Sequence, residues 1–253
     1  MEITKINERI KLPIPPNMGI TTLTTPVIWF GNYEQAKVCS ISINPSDNEF
    51  YYHPHGQENY TIPGNLLSNR EARLCSREEL KKNDNDPLDD NDVIKIKEYC
   101  NNYFSRNPYK GWFDPFEYFL KKIGGYSYYG GTCVHLDMVQ WATTPKWSGL
   151  LKGVREKLII NDLPILKQLL EKDFEVMFLN GKSVVKIISE HINIKFSSKT
   201  STINDKTLII YTGEYNRTKV IGWSQPLKNP VFYNYANIDI LSDVVTSLCG
   251  QMG

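Results

Sequence analysis

Apolar positions along the chain follow two periodicities. Three short continuous apolar runs, Val38–Ile43, Cys133–Val139 and Val176–Leu179, have the length and makeup of strands buried on both faces of a parallel sheet. Two further runs, Thr207–Thr212 and Lys219–Trp223, are also read as strands. Helical patterns lie between them. Asp114-Pro115-Phe116-Glu117 sets a capping residue before a proline at the first helical position and a glutamate three residues after the cap, which predicts a helix over "DPFEYFLKKIGG" closed by Gly124. The segment "DLPILKQLLEKD" repeats that grammar with Asp162 as the cap. In "GKSVVKIISEHI", Val184, Val185, Ile188 and Ile192 share one helix face.

Strands separated by helices imply βαβ units, and hence an α/β fold whose central, mostly parallel sheet carries helices on both faces. Ligands of such sheets gather beyond the carboxyl ends of the strands. That rule brings Asn44, the residues after Val139, the Asn180-Gly181 turn and the residues after Trp223 to one crevice. The low-complexity stretch Lys81–Asp92, "KKNDNDPLDDND", has closely spaced aspartates, but Pro87 and the lack of a central glycine and a terminal glutamate do not fit a calcium-binding loop. It is read as a solvated loop insertion in a single domain spanning residues 1–253.

Composition narrows the classes of function without choosing one. A chain of 253 residues, 41% hydrophobic and 23% charged, can bury a sizeable core. Its net charge of +1 demands neither a nucleic acid nor a membrane. Five cysteines lie far apart with no C-x-x-C pair, so reduced thiols are expected rather than a disulfide framework or a zinc ribbon. The first residues, "MEITKINERIKLPIPP", lack the apolar core of a signal peptide, and no run is long enough to span a bilayer, so the expected location is the cytoplasm, with no membrane partner. His53 and His55 in "HPHG" have no third ligand in view, and neither a metal nor an organic cofactor is expected. Gly124-Gly125 and Gly130-Gly131 precede a strand instead of joining strand to helix, so they are not a dinucleotide fingerprint.

Three strand-end segments carry the candidate chemistry. In "SINPSDNEFYY", Asn44 follows the first core strand and Pro45 restricts it to an extended or turn conformation. The aromatics Phe50, Tyr51 and Tyr52 follow, suited either to the core or to a base. In "VHLDMVQWATTPKWSGL", Asp137 sits inside an apolar strand, where a carboxylate needs a partner or a raised pKa. His135 shares its face by strand alternation. Trp141, Thr143, Thr144, Lys146 and Trp147 then interleave aromatic, hydroxyl and basic groups. The third segment, "VIGWSQPLKNP", runs from a strand into a proline-bounded loop.

In this order the three segments resemble the uracil-DNA glycosylase superfamily, across about 190 residues from Val38 to Pro230. "SINPS" looks like the first motif in the asparagine form of the single-strand-selective and mismatch-specific branches. "SQPLKNP" looks like the second motif, and "VHLDMVQWATTP" falls where the family has its base-reading strand. The resemblance implies a three-layer αβα, uracil-DNA glycosylase-like fold, DNA as partner, a flipped target nucleotide and a monofunctional enzyme, since no lysine is placed for a Schiff base. It further implies that Asn44 positions the attacking water, that Phe50 or Tyr51 stacks on the flipped base with His135 and Asp137 in the base-binding pocket, and that Leu227 is the wedge filling the vacated stack. Ser46, Lys146, Lys228 and Ser224 would hold DNA.

Two departures from the family pattern bear on activity. The second motif lacks its histidine: one alignment puts Trp223 in its place and another Ser224, with Gln225 one residue on as a neutral amide donor. Where the family reads uracil with an asparagine, this chain has Asp137, which would accept from the amino group of cytosine, or from the ring N–H of uracil. A modified cytosine such as glucosylated hydroxymethylcytosine, removed in antiviral defence, or uracil, removed in repair, is the expected target. An inactive DNA-binding module and an unrelated nucleotide-binding enzyme are the alternatives. Lys146, Lys152, Arg155, Lys157, Arg217, Lys219 and Lys228 would supply the phosphate footprint.

Overall fold

The computed structural model describes residues 3–53, 64–68 and 70–251. His55 lies outside the described residues. Six strands form one sheet: β1 (Val38–Ser42), β4 (Cys133–Asp137), β5 (Val176–Asn180), β6 (Ser197–Ile203), β7 (Lys206–Tyr215) and β8 (Thr218–Trp223). Their order is β4-β1-β5-β8-β7-β6, and two short strands, β2 (Tyr51–Tyr52) and β3 (Asn65–Leu66), pair antiparallel elsewhere. β1 pairs parallel with β5, and β5 with β8. On the other flank of β1, the Lys37 N–H donates to the Thr132 carbonyl (2.9 Å) before the strands and the Val139 N–H to the Ile43 carbonyl (2.8 Å) after them, so β4 runs the same way. The class is therefore α/β, with a mostly parallel sheet flanked by helices.

The two apolar strands β1 and β4 are buried at every position, as strands covered on both faces must be. β6 and β7 add an antiparallel hairpin at one edge. Asn204 and Asp205 both take positive φ between Ile203 and Lys206, the two-residue geometry whose twist matches a hairpin. β6, "SSKTSTI", is almost wholly solvent-facing and has no apolar alternation, which is why no strand was expected there.

The chain divides into two compact units, each assembled from three separated segments. Residues 1–30, 43–109 and 136–172 form the first, with helices α1 (Ile3–Lys11), α2 (Asp90–Asn101) and α4 (Lys152–Leu169). Residues 31–42, 110–135 and 173–253 form the second, with α3 (Lys110–Gly124), α5 (Lys182–Ile192) and α6 (Tyr235–Gln251).

In the first unit a guanidinium replaces regular secondary structure as the organiser of backbone. Arg77 is fully buried and donates to four carbonyls: Thr24 (3.2 Å), Asn83 (3.0 Å), Asp86 (2.7 Å) and Leu12 (2.8 Å). Asp84 accepts from the Leu23 N–H at 2.7 Å, and Asp89 caps α2 in a reciprocal box with Asp92. The aspartate-rich stretch is thus exposed along much of its length, yet its acids tie it to residues 12–24 and start a helix at Asp90.

Two helices begin earlier than their sequence grammar implies. α3 starts at Lys110 rather than after Asp114, and α4 at Lys152 rather than after Asp162, so Pro115 and Pro164 lie inside helices. A proline there removes the hydrogen bond to the residue four earlier. Those residues, Gly111 and Ile160, are exposed, so water can serve the freed carbonyls. Asp162, expected as a cap, is buried and accepts from Arg9 and from the Gln140 N–H (2.8 Å). Glu117 is likewise not part of a capping box; it accepts from the Ser127 hydroxyl (2.6 Å) and Tyr128 N–H (2.8 Å), holding the turn before β4. Gly125, at φ +68, closes α3 with its N–H on the Lys121 carbonyl. α5 buries Val184, Val185, Ile188 and Ile192, as its pattern predicts.

The second unit centres on aromatic contacts among Phe116, Phe119, Phe178 and Trp223, with ring centroids 5.0 to 6.4 Å apart. Cys39, Cys75, Cys100 and Cys133 are buried thiols. No helix among the described residues is long and apolar enough to cross a membrane.

Arg77→Ala should lower stability by about 3 kcal/mol, because four backbone carbonyls lose a charged, buried donor at once. Urea unfolding would show this as a lower midpoint; a midpoint unchanged from the parent would remove Arg77 from the organising role.

Candidate functional site

In the first unit the site is built around the turn that follows β1. The Ile43 carbonyl still accepts from the Val139 N–H, and beyond it Asn44 supplies the next contacts through its side chain. Its Nδ2 faces three acceptors: the Pro45 carbonyl (2.9 Å), the Trp141 carbonyl (3.3 Å) and Thr143 Oγ1 (3.3 Å). Carbonyl oxygens only accept, so this contact set identifies which end of the amide is nitrogen. Asn44 Oδ1 accepts from none of the described residues, and the side chain is half-buried. The residue expected at the head of the first motif is thus held by one end with its acceptor end available.

Ser46 caps a 3-10 turn, Asp47–Glu49, by accepting from the Asn48 N–H at 3.2 Å. That turn places two acids in the interior. Asp47 lies 3.1 Å from His53 Nε2 and accepts from Thr144 Oγ1 (3.4 Å), whose hydroxyl also meets Thr21 (2.9 Å). Glu49 accepts from the Tyr103 hydroxyl at 2.6 Å. Burial pushes the Glu49 carboxyl up to about 7, the Tyr103 hydrogen bond and Arg73 pull the other way, and the Asp137 charge adds to the rise. Asp137, the last residue of β4, is buried in the same unit. Neither Asp47 nor Glu49 was among the expected site residues, although both lie within five positions of Asn44; an acid at a turn reads as solvated until its burial is seen.

The aromatics and the histidine take interior places. Phe50 is buried, and the Tyr51 hydroxyl donates to the Thr22 carbonyl (2.7 Å), while Tyr52 is exposed. Burial pushes the Tyr51 phenol up to about 12. His135 sits in the second unit, where Nδ1 meets Ser40 Oγ (2.7 Å), which in turn meets the Tyr128 hydroxyl (2.6 Å). Phe113 packs edge-on to the imidazole at 5.3 Å. The structure therefore gives His135 to an internal hydrogen-bonded chain, the structural alternative for a polar pair in a buried strand.

In the second unit the loop after β8 is ordered by side chains. Trp223, one candidate for the missing histidine's place, is fully buried in the aromatic core and its Nε1–H donates to Asn180 Oδ1 (3.2 Å), so it does not face a ligand. Ser224 Oγ accepts from the Ile209 N–H (3.0 Å), and the Ser224 N–H donates to the Ile209 carbonyl (2.9 Å), so this residue extends the pairing with β7. Gln225 Oε1 accepts from Asn229 Nδ2 (3.0 Å), which leaves the Gln225 NH₂ as the outward end. Leu227 departs from expectation. A wedge must project, whereas Leu227 is 2% exposed and its N–H donates to Asn180 Oδ1 (2.9 Å). Lys228, next along, is exposed, with Nζ 5.4 Å from the Trp112 ring.

Strand direction divides the expected basic footprint. Lys146, Lys152, Arg155 and Lys157 cluster between β4 and the first turns of α4, the three lysines exposed and Arg155 half-buried. Arg217 and Lys219, however, lie at the amino end of β8, opposite the 224–230 loop, and Arg217 pairs with Asp173. An open groove lined by Tyr126, Glu175, Val176 and Lys219 is at that amino end too, away from the 224–230 loop. No group of three or more His, Cys, Asp or Glu side chains arranged for a metal occurs among the described residues.

Fold and site together define an α/β protein whose strand ends present a locked asparagine and buried acids in one unit and a loop of carboxamides in the other. Comparisons of the chain with protein-family models, with curated proteins and with solved structures return no match.

Glu49 makes stability depend on pH. Its folded pKa lies above the unfolded value, so the unfolded chain releases this proton first and stability falls as pH rises from about 4.5 to about 7. The Glu49→Gln variant, which can still accept from Tyr103, should flatten that slope by on the order of 3 kcal/mol across the window. Urea midpoints measured at both ends of the window check it, and equal slopes in the two proteins would count against a buried, protonated Glu49.

Proposed function

We propose that this chain is a monofunctional DNA glycosylase of the uracil-DNA glycosylase type, with a three-layer αβα fold, that flips a non-canonical base and hydrolyses its N-glycosidic bond to leave an abasic site. The observation that carries the reading is Asn44. Its NH₂ is consumed by the Pro45 and Trp141 carbonyls and Thr143, so its Oδ1 is oriented as a hydrogen-bond acceptor beyond the end of β1. An acceptor so placed orients a water molecule for attack on the sugar.

In the reaction the C1′–N bond breaks and its electron pair leaves with the base. The water oxygen bonds to C1′, and the proton it sheds balances the charge on the departing base. Positive charge builds on the sugar and negative charge on the base. Buried carboxylates favour the first, and neutral N–H donors the second. In the first unit Asp47 and Asp137 are the buried acids beside the turn that carries Asn44.

Asp137 is the proposed base reader. A carboxylate accepts from the exocyclic amine of cytosine, which favours cytosine carrying a modification, such as glucosylated hydroxymethylcytosine, over uracil. Removal of such a base is suited to antiviral defence, and uracil removal to repair, in the cytoplasm in either case. Lys146, Lys228 and Ser46 are the proposed DNA contacts. An inert DNA-binding module on the same fold is the second reading, favoured by one specific observation: Leu227, the residue at the wedge position, is packed inside.

Incubating the protein with oligonucleotides bearing uracil, hydroxymethylcytosine, glucosylated hydroxymethylcytosine or plain cytosine, then cleaving abasic sites with alkali, separates the readings. Strand breaks on a modified base are expected; binding without breaks on every substrate establishes the inert module. Asn44→Ala should cost roughly 10²-fold or more in cleavage rate, and about 1–2 kcal/mol of stability for the lost amide contacts. Full activity in that variant sinks the assignment. Asp137→Asn should move base preference toward uracil, measured as the ratio of cleavage rates, and an unchanged ratio takes Asp137 out of the reader role.

A further inference from the structure

Asn180 closes β5 in the second unit, and nothing in its sequence neighbourhood marks it as more than a turn residue. Its Oδ1 accepts two hydrogen bonds, from Trp223 Nε1–H (3.2 Å) and the Leu227 N–H (2.9 Å). Indole and peptide nitrogens only donate, so the oxygen must face them and the Nδ2 group must point away. Gln225 is fixed by the same logic one step removed. The Val231 N–H donates to Asn229 Oδ1 (3.1 Å), which turns Asn229 Nδ2 onto Gln225 Oε1 (3.0 Å) and leaves Gln225 Nε2 outward. Neither outward NH₂ meets an acceptor among the described residues, and both side chains are half-buried.

The two amides belong to one small assembly. The Lys182 N–H donates to the Ser224 carbonyl (3.2 Å), and Gly181, at φ +110, lies so close to Pro226 that an added Cβ would come within 3.4 Å of it. The end of β5 is thereby fastened to the loop after β8. No acidic side chain occurs at residues 180–182 or 223–230. What remains is a donor-rich patch without acids, in which the exposed Lys182 and Lys228 add positive charge to the two amide NH₂ groups.

We infer that Asn180 and Gln225 form a paired amide-donor site for an anionic oxygen of the DNA substrate, either the carbonyl oxygen of the departing base or a backbone phosphate. This rests on the glycosylase reading for the identity of the ligand. For a departing base the pair takes over the task of the absent histidine: two neutral donors share the charge that one imidazole would carry. Neither amide titrates, so their contribution does not change with pH. Four N–H bonds on two planar groups also suit an oxygen with more than one lone pair.

Asn180→Asp and Gln225→Glu are the informative variants, because each keeps the oxygen that Trp223 and Leu227, or Asn229, require while replacing the outward donor with an acceptor. Both should retain the parent melting temperature within a few degrees. The side-chain amide signals of ¹⁵N-labelled full-length protein, assigned by their loss in the two variants, should shift when a short uracil-containing oligonucleotide or inorganic phosphate is added. If the ligand is the base, either variant slows release of uracil at least tenfold and release of the better leaving group 5-fluorouracil by much less. A phosphate ligand instead predicts equal slowing on both bases, weaker binding to abasic DNA and signals that move with phosphate alone.

Signals unmoved by DNA and by phosphate, with variant rates and affinities equal to the parent, overturn the inference. Amide signals that shift with DNA while no base is ever released keep the donor pair and reject the glycosylase reading instead.

Discussion

Regular pairing stops near the carboxyl ends of the parallel strands β1, β5 and β8, and the polar groups just beyond must still be satisfied. Here carboxamide side chains do that work. Asn44 donates to carbonyls of the Pro45 turn and of Trp141; Asn180 accepts from the indole and peptide N–H groups of the loop after β8; Asn229 and Gln225 continue that loop's pairing. An amide has a donating and an accepting end, so committing one to the fold fixes the direction of the other. The demand that closes the sheet also orients the groups available for chemistry. Asn44 is left offering an oxygen, whereas Asn180 and Gln225 are left offering hydrogens.

The first unit gathers acceptors: the Asn44 oxygen and the buried carboxyls of Asp47, Glu49 and Asp137. The second unit gathers neutral donors in the loop after β8. A histidine in that loop would have been a stronger donor when charged, but it would also have introduced a proton equilibrium near neutrality. Amides give up strength for a fixed state.

How much of this the sequence discloses depends on whether a residue's partner is near it in the chain. β1, β4 and β5 are legible because burial on both faces writes itself as an uninterrupted apolar run, and α5 because its apolar residues recur on one face. Asn44 is legible as a polar residue ending such a run before a proline. The locking of its amide is not, since Trp141 and Thr143 lie almost a hundred residues on. Asp162 was misread for the same reason: its partners, Arg9 and the Gln140 N–H, are distant, so a buried acid mid-helix looked like a cap. Pro115 and Pro164 misled because proline marks a helix start only when its missing N–H is the reason for its position. Leu227 shows the reverse error. A leucine between prolines in a loop suggests an exposed tip, but Asn180 draws its N–H inward and the side chain is buried.

The acids of the first unit set a limit on one another. Glu49 is buried against Tyr103, and the charge of Asp137 raises its pKa further, so near neutrality a proton on Glu49 spares the unit a further buried negative charge. A protonated Glu49 can donate as well as accept, so its hydrogen-bonding role changes near neutrality. It lies five residues after Asn44, on the turn that Ser46 caps. The amides of Asn180 and Gln225 have no proton to lose, so a change of pH that reaches Glu49 leaves them as they are.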